Sequence, residues 1–403
     1  MTKLYSRMIK KLKRPFDLFS PLFGAERVEL LIFDDIYPHP ISGFRLEEFT
    51  RLLEEFDNSK ITLNPTAYKF IGTPIEKHAL HVKEITKHND HLTNKLVKTG
   101  AKQFKPKLFY CVFLTNILKK LDWLEENSIP FVFTLYPGGG FLVNDEKTDQ
   151  KLKKILNSAM FRKVIVTQEF TKNYLLQKNF CDADKIELIF GCVVPQSSIK
   201  ADLPGKQYYK RDKQTFDICF CAAKYSKYGE DKGYDEFIKF AHSISNRFDF
   251  VRFHIIGGFN KEDIDVTEIE KNITFYGYLD FSELKSVYLN MDVIVSPNKP
   301  FVLSSGAFDG FPLGTVVEAV LNGVVALVSD CLNENSAFTD NEELIIIEPD
   351  SASIEFNIVK LIENTDMLFR ISKNGRRKFS QIYSNDVQIA PRIEILQKEL
   401  SKS

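Results

Sequence analysis

The stretch Gly306-Ala307-Phe308-Asp309-Gly310-Phe311-Pro312-Leu313-Gly314-Thr315-Val316-Val317-Glu318-Ala319, followed by Asn322-Gly323, runs from a glycine-rich loop into a helical pattern. Such a loop can aim backbone N–H groups at a phosphate, here from Gly310, Phe311, Pro312 and Leu313 where an N–H exists or the turn is shaped. An acid in the following helix, Glu318, can accept hydrogen bonds from sugar hydroxyls, and Asp309 stands at the loop's entrance. Upstream, Lys224 follows the strand-like Cys219-Phe220-Cys221-Ala222-Ala223, and Lys232-Gly233 opens the next helix. Strand ends and helix N-termini favour anions, so two lysines converging there suit a diphosphate. Two solvated loop lysines are the alternative. Gly257, in Ile255-Ile256-Gly257-Gly258, ends a further strand where a ligand or a neighbouring backbone can approach closely.

Other chemistry-bearing residues carry less. His78, His81, His88, Asp90 and His91 crowd together and raise the question of a metal, but their neighbours are lysine-rich and no cysteine joins them. They are expected to form a solvated helix-loop face, and no metal site is expected. His254 lies inside an apolar run and is expected to be a buried or edge residue. The chain lacks a G-x-S-x-G elbow, a P-loop and a G-x-G-x-x-G after a strand, which weakens hydrolase, NTPase and dehydrogenase readings.

These loops need strands and helices to hold them. From about residue 28 short apolar runs alternate with longer helical patterns, the mark of βαβ units and a mainly parallel sheet. Val28 to Phe33 reads as a strand, Tyr37 to Gly43 as a turn-rich loop and Phe44 to Phe56 as a helix; further strands read at Leu108 to Leu114, Phe131 to Leu135, Val164 to Thr167 and Ile186 to Phe190. Ser197 to Thr215 breaks the pattern and is the candidate linker. A second series follows, with strands at Phe216 to Cys221, Val251 to Ile256, Ile273 to Tyr276, Val293 to Ser296, Val324 to Val328 and Leu344 to Ile347. Helices read at Tyr234 to Asn246, Leu284 to Asn290, Val316 to Leu321 and Val387 to Leu400. Because open α/β sheets bind ligands at the carboxyl ends of their strands, the natural site is a cleft between two lobes.

The second lobe, from about Phe216 to Asp330, resembles the donor-binding domain of retaining glycosyltransferases, especially family four. The resemblance rests on the order and spacing of Lys224, Lys232-Gly233, Asn272-Ile273-Thr274-Phe275-Tyr276-Gly277-Tyr278, Asp292-Val293-Ile294-Val295-Ser296-Pro297 and the Asp309 to Glu318 segment. It implies an α/β architecture of two Rossmann-like domains facing across a cleft (GT-B), with the C-terminal helix crossing back onto the N-terminal domain. It also implies that Lys224 and Lys232 neutralise a leaving nucleoside diphosphate, that Tyr278 lies beside the base, that Glu318 holds the ribose hydroxyls and that Asp309 sits close to the donor sugar. The sequence departs from the family in two ways: the first acid is Asp309 rather than glutamate, and it precedes Glu318 by nine positions instead of the usual eight. In the first lobe Ser42-Gly43 matches the family's glycine loop, and Gly43 is the residue carried over. Thr134-Leu135-Tyr136-Pro137-Gly138-Gly139-Gly140 ends a strand where relatives have a histidine near the acceptor, and no histidine stands there.

The expected divisions are a basic amphipathic segment 1–24, an acceptor-side domain 25–205, a donor-binding domain 206–385 and a returning helix 386–403. The 403 residues favour two domains, and 44% apolar with 27% charged residues suits two packed cores. Lys plus Arg equals Asp plus Glu at 54 each, which removes a general electrostatic case for nucleic acid. Six cysteines in apolar stretches suit a reducing compartment. No run reaches the roughly 20 apolar residues of a membrane span, and a cytoplasmic protein is expected. Residues 1–14 carry Lys3, Arg7, Lys10, Lys11, Lys13 and Arg14 and no acid. They read either as a surface helix that contacts the inner membrane face through residues 1–23, or as a first helix packed on the fold with a basic outer side. The function implied is metal-independent transfer, with retention, of a sugar from a UDP- or GDP-linked donor substrate to a glycan or lipid-linked glycan, as in bacterial capsule or O-antigen synthesis, with no cofactor. A GT-B sugar-nucleotide 2-epimerase and a non-catalytic glycosyltransferase-like partner subunit are the alternatives.

Overall fold

The computed structural model describes residues 24–98, 103–199, 203 and 205–402. The basic segment 1–23, and with it the expected membrane contact, lies outside the described residues. The first sheet contains β1 (Glu26–Asp34), β2 (Ser59–Leu63), β3 (Leu96–Val97), β4 (Phe104–Val112), β5 (Phe131–Leu135), β6 (Phe161–Val166) and β7 (Ile186–Leu188). Its order is β3-β2-β1-β4-β5-β6-β7. The second contains β8 (Phe216–Ala222), β9 (Val251–Gly257), β10 (Ile273–Gly277), β11 (Val293–Ser296), β12 (Val325–Ser329) and β13 (Ile345–Ile347), ordered β10-β9-β8-β11-β12-β13. Every pairing in both sheets is parallel.

Parallel strands buried on both faces need apolar residues at every position rather than at alternate ones. Along β1, Leu31 and Phe33 join the core on one face and Leu30 and Ile32 the core on the other. In β8, Ile218 and Phe220 face one core while Cys219 and Cys221 face its opposite. The strand expected at Leu108 starts earlier, at Phe104, because its first residues alternate buried Phe104 and Pro106 with exposed Lys105 and Lys107. That half-covered start has the strand period but not the continuous apolar run that marks the rest.

The longer helices are α1 (Gly43–Glu55), α2 (Lys77–His88), α3 (Glu146–Leu156), α4 (Glu169–Gln177), α5 (Tyr234–Ser245), α6 (Phe281–Tyr288), α7 (Gly314–Leu321), α8 (Ser351–Glu363), α9 (Thr365–Ile382) and α10 (Asn385–Leu400). The strand order reverses between β1 and β4 in one sheet and between β8 and β11 in the other. Loops diverge at such points and leave a crevice at the strand ends. The loop before α1, the segment 223–233 and the segment 297–313 all issue from strands at these two points.

Two packed contacts, among others, join the domains. Phe308, from the second domain, sits in the first-domain core, edge-on to Phe141 at 5.5 Å and to Phe170 at 5.2 Å. Beside it the Val143 N–H donates to the Gly306 carbonyl at 2.9 Å. A Cβ on Gly306 would lie 2.2 Å from the Val143 carbonyl oxygen, so this approach requires glycine. The second contact is α10, which returns to the first domain and places Leu396 in its core. Arg392 on that helix is fully buried, donates to the Tyr136 hydroxyl at 3.2 Å and lies 3.9 Å from the Glu48 carboxylate. Glu48 also accepts from Tyr110 and from Tyr136, the latter at 2.9 Å.

One expectation is corrected here. His78 is buried and His81 packs on the His39 and Tyr68 rings, with His81 Nδ1 2.9 Å from the Tyr68 hydroxyl. The solvated face holds for His88, Asp90 and His91, whereas Tyr68 and His39 arrive from elsewhere in the chain and cover His78 and His81. Among the described residues no group of three His, Cys, Asp or Glu side chains is arranged to hold a metal ion.

Removing one partner of the buried charge pair leaves the other unpaired, so Arg392→Ala should cost about 3–5 kcal/mol. Chemical denaturation followed by far-UV circular dichroism would measure this, and a midpoint equal to wild type would contradict the role given to the pair.

Candidate active site

The two sheets face across a cavity of about 410 Å³. That is within the size of sites that enclose small ligands. It brings together Gly43, Lys232, Gly257, Tyr278, Asp309, Gly310, Pro312, Leu313 and Glu318. Gly43 and Glu318, from different domains, meet across it: a Cβ on Gly43 would stand 3.5 Å from Glu318 Oε1.

The second-domain wall is built by three local devices. At the end of β9, Gly257 has φ +120° and pairs with Ala222, whose carbonyl oxygen would lie 1.9 Å from any Cβ at 257. Glycine is therefore forced by strand approach, and the opening beside it is a consequence. Lys232 closes a tight turn before Gly233, whose φ of 69° starts α5. The lysine is buried, its ammonium pairs with Asp309 and it lies 5.3 Å above the Tyr225 ring. Asp309 is further held by Asn298 Nδ2 at 3.3 Å, and Ser296 Oγ donates to Asn298 Oδ1 at 3.3 Å. The loop then enters α7, whose first turn is fixed by Thr315 Oγ1 donating to the Cys221 carbonyl at 3.0 Å.

Glu318 projects from α7 at the cavity wall with no hydrogen bond or ion pair to its carboxyl among the described residues. Burial against apolar neighbours pushes its pKa up to about 7. A carboxyl placed this way has unused acceptor capacity, which vicinal hydroxyls can fill. Behind the Asp309 loop, Glu334 is buried and burial, with Asp330 and Asp309 nearby, pushes it up to about 8.

Two expected residues stand elsewhere. The Lys224 ammonium is outside the cavity lining and pairs with Asp263. Phe311 turns into the second-domain core, leaving only its backbone near the cleft, where its carbonyl accepts from Gln168 Nε2 at 3.3 Å. Sequence reasoning missed Gln168 and Asn298, and it quoted Tyr136 and Thr315 only as parts of longer stretches. Gln168 is buried, lines the cavity and has an unpartnered Oε1. Its only sequence signal is its place just past β6, at a strand's carboxyl end.

Residues 215–378 match the family model described as glycosyl transferases group 1. No curated protein matches the chain. Among solved structures the chain is similar to a glycosyltransferase from Rickettsia africae, with 15% identity, TM-score 0.64 and coverage of 94% of this chain and 100% of that one. It is also similar to HepE of Anabaena, crystallised in complex with UDP-glucose, at 14% identity and TM-score 0.62 over 93% of this chain and 100% of the other. Sucrose-phosphate synthase from Thermosynechococcus elongatus is a third, at 13% identity and TM-score 0.63, covering 94% and 100%. These likenesses establish the fold, the GT-B arrangement of two Rossmann-like domains.

The raised pKa of Glu318 has a definite sign. Below the ordinary glutamate value of 4.5 both folded and unfolded chains hold the proton, and between 4.5 and about 7 only the folded chain does. The stability associated with that proton is lost as pH rises through this window. Urea denaturation of Glu318→Gln between pH 4.5 and 7.5 should show a shallower fall with pH than wild type, and an unchanged slope would mean that Glu318 ionises normally.

Proposed function

We propose that this chain, a GT-B protein whose second domain belongs to the group 1 glycosyltransferases, transfers a sugar from a nucleoside diphosphate donor to an acceptor hydroxyl with retention at the anomeric carbon. The observation that carries this reading is the convergence of Lys232, the Gly310–Leu313 loop and Glu318 on one wall of the interdomain cavity, opposite Gly43. A cation and a loop entering a helix suit a diphosphate, and a carboxyl with spare acceptor capacity suits a ribose diol. HepE of Anabaena, of the same fold, is crystallised with UDP-glucose, and we assign this chain the same class of donor, with Tyr278 and Gly257 flanking the base.

In the unliganded chain the buried Lys232 ammonium is balanced by Asp309. An arriving diphosphate replaces Asp309 as the lysine's partner, so the cation is never buried without an anion. Asp309 is thereby released to accept hydroxyls of the donor sugar. As the bond from the anomeric carbon to the phosphate oxygen breaks, its electron pair leaves with the diphosphate, and Lys232 and the loop N–H groups stabilise the growing charge. The acceptor oxygen forms the new bond to the same carbon and passes its proton to the departing phosphate oxygen, which balances the step without a further base. Lys224 takes part only if it leaves Asp263, as a second phosphate contact. The acceptor, a glycan or lipid-linked glycan, enters along Ile41, Phe44, Phe113 and Tyr136, whose largely apolar wall keeps water from competing.

Turnover of nucleoside diphosphate sugars by the purified protein tests the reading. Lys232→Ala should lower kcat by about 10²–10³-fold. Glu318→Ala should weaken donor binding by about 10–100-fold, the worth of a charged hydrogen bond. Full activity in both variants would refute the site, and a wild type that binds no donor would favour a non-catalytic partner subunit.

A further inference from the structure

A second cavity, of about 700 Å³, lies away from the interdomain cleft, between the segment that enters the second domain and α9. Its walls carry Arg211, Lys373, Arg376 and Arg377, with the rings of Tyr208 and Phe369 between them. Among the described residues one carboxylate, Asp212, shares the lining, and its Oδ2 is already occupied by the Tyr208 N–H at 3.0 Å. The whole chain balances 54 basic against 54 acidic residues, so this is a local excess of positive charge. Several basic residues elsewhere on this domain are paired with acids: Arg370 with Glu342, Arg247 with Glu355 and Lys213 with Asp217 and Asp292. By contrast, the Arg211 and Lys373 side chains have no hydrogen bond or ion pair among the described residues. Among the described residues Arg377 reaches only the Asn374 amide oxygen, at 3.4 Å.

The cavity is framed rather than loose. Tyr208 and Phe369 meet edge to face at 5.5 Å, and the Tyr208 hydroxyl lies 3.0 Å from Ser372 Oγ. Ser372 in turn donates to the Gly323 carbonyl at 2.7 Å. Arg376 Nε donates to the Leu321 carbonyl at 3.1 Å, which fixes its side chain to the end of α7. Lys206 shares the lining, but its ammonium turns inward to the Tyr288 and Met291 carbonyls, and burial lowers its pKa to about 7. It therefore belongs to the framework and not to the charged surface.

Several guanidinium groups and an ammonium converging on one hollow repel one another unless an anion lies among them. Guanidinium forks match the oxygens of a phosphate in pairs, which a lone carboxylate cannot engage from three sides at once. We propose that this cavity binds a phosphate-bearing anion, held by Arg211, Lys373 and Arg377. Such a ligand would tie the segment around Arg211, at the entry to the second domain, to α9, the helix that leads into α10 and so back to the first domain.

Inorganic pyrophosphate, titrated calorimetrically at low salt, tests the site independently of the active-site assignment. Binding should persist in Lys232→Ala. In the triple variant Arg211→Glu, Lys373→Glu, Arg377→Glu it should weaken about tenfold or more, one lost charge-assisted contact being enough for that factor. These three side chains are exposed, so circular dichroism and the thermal midpoint should match wild type. Flotation with equimolar phosphatidylglycerol and phosphatidylcholine vesicles separates the sources of the phosphate. Reduced flotation of the triple variant identifies a lipid headgroup, and weakened pyrophosphate binding with unchanged flotation identifies a soluble ligand. Pyrophosphate binding and flotation both equal to wild type, or wild type that binds neither probe, would overturn the proposal.

Discussion

The loop that lines the interdomain cavity is anchored in two cores at once, and the geometry of the cleft follows from that. Phe308 is buried in the first domain and Phe311 in the second, with only Asp309 and Gly310 between them. Two residues span too short a distance for the domains to separate without pulling one ring out of its core. Domain interfaces within a chain are often loosely held and mobile. Here the joint passes through residues that line the cavity, so any opening of the cleft must also displace Asp309.

Charge in the cleft is arranged around the same loop. Lys232 is buried and yet neutralised, because Asp309 is delivered to it by a loop whose ends are fixed. Glu318 stands on the helix that follows, where no cation among the described residues reaches it, and retains its proton to a higher pH than an exposed glutamate. The cavity thus keeps a paired cation at one end and a carboxyl with unused acceptors at the other. That asymmetry suits a ligand that is anionic in one part and rich in hydroxyls in another.

The parts of this site that lie within one strand, loop and helix were readable from the sequence: Gly257, Lys232, the Gly310–Leu313 loop and Glu318 all line the cavity. Each owes its place to a local rule, a strand end, a helix start or a forced glycine. What was not readable depends on partners far along the chain. Lys224 is drawn off by Asp263, Gln168 enters from the other domain, and His78 and His81 are covered by Tyr68 and His39. The short β3 and the helices α8 and α9 were also unread. A two-residue strand carries no period, and the polar residues interspersed in α9 obscure an apolar stripe that its buried Leu368, Ile371 and Phe379 make plain. The two domains and their cleft were legible because continuous apolar strands repeat across both halves of the chain.

The returning helix bears on how such a chain is made. Arg392 meets Tyr136 across 256 positions of sequence, and Leu396, with Ile393, Ile395 and Leu400 packed beside it, completes a core otherwise built from residues before 193. During synthesis the first domain therefore emerges with one side of its core uncovered and keeps it so while the whole second domain is translated. Contacts of such long sequence separation form late. The nascent first domain would expose Tyr136 and Glu48, which later support the cleft, until α10 leaves the ribosome, so this face is where a chaperone would be needed.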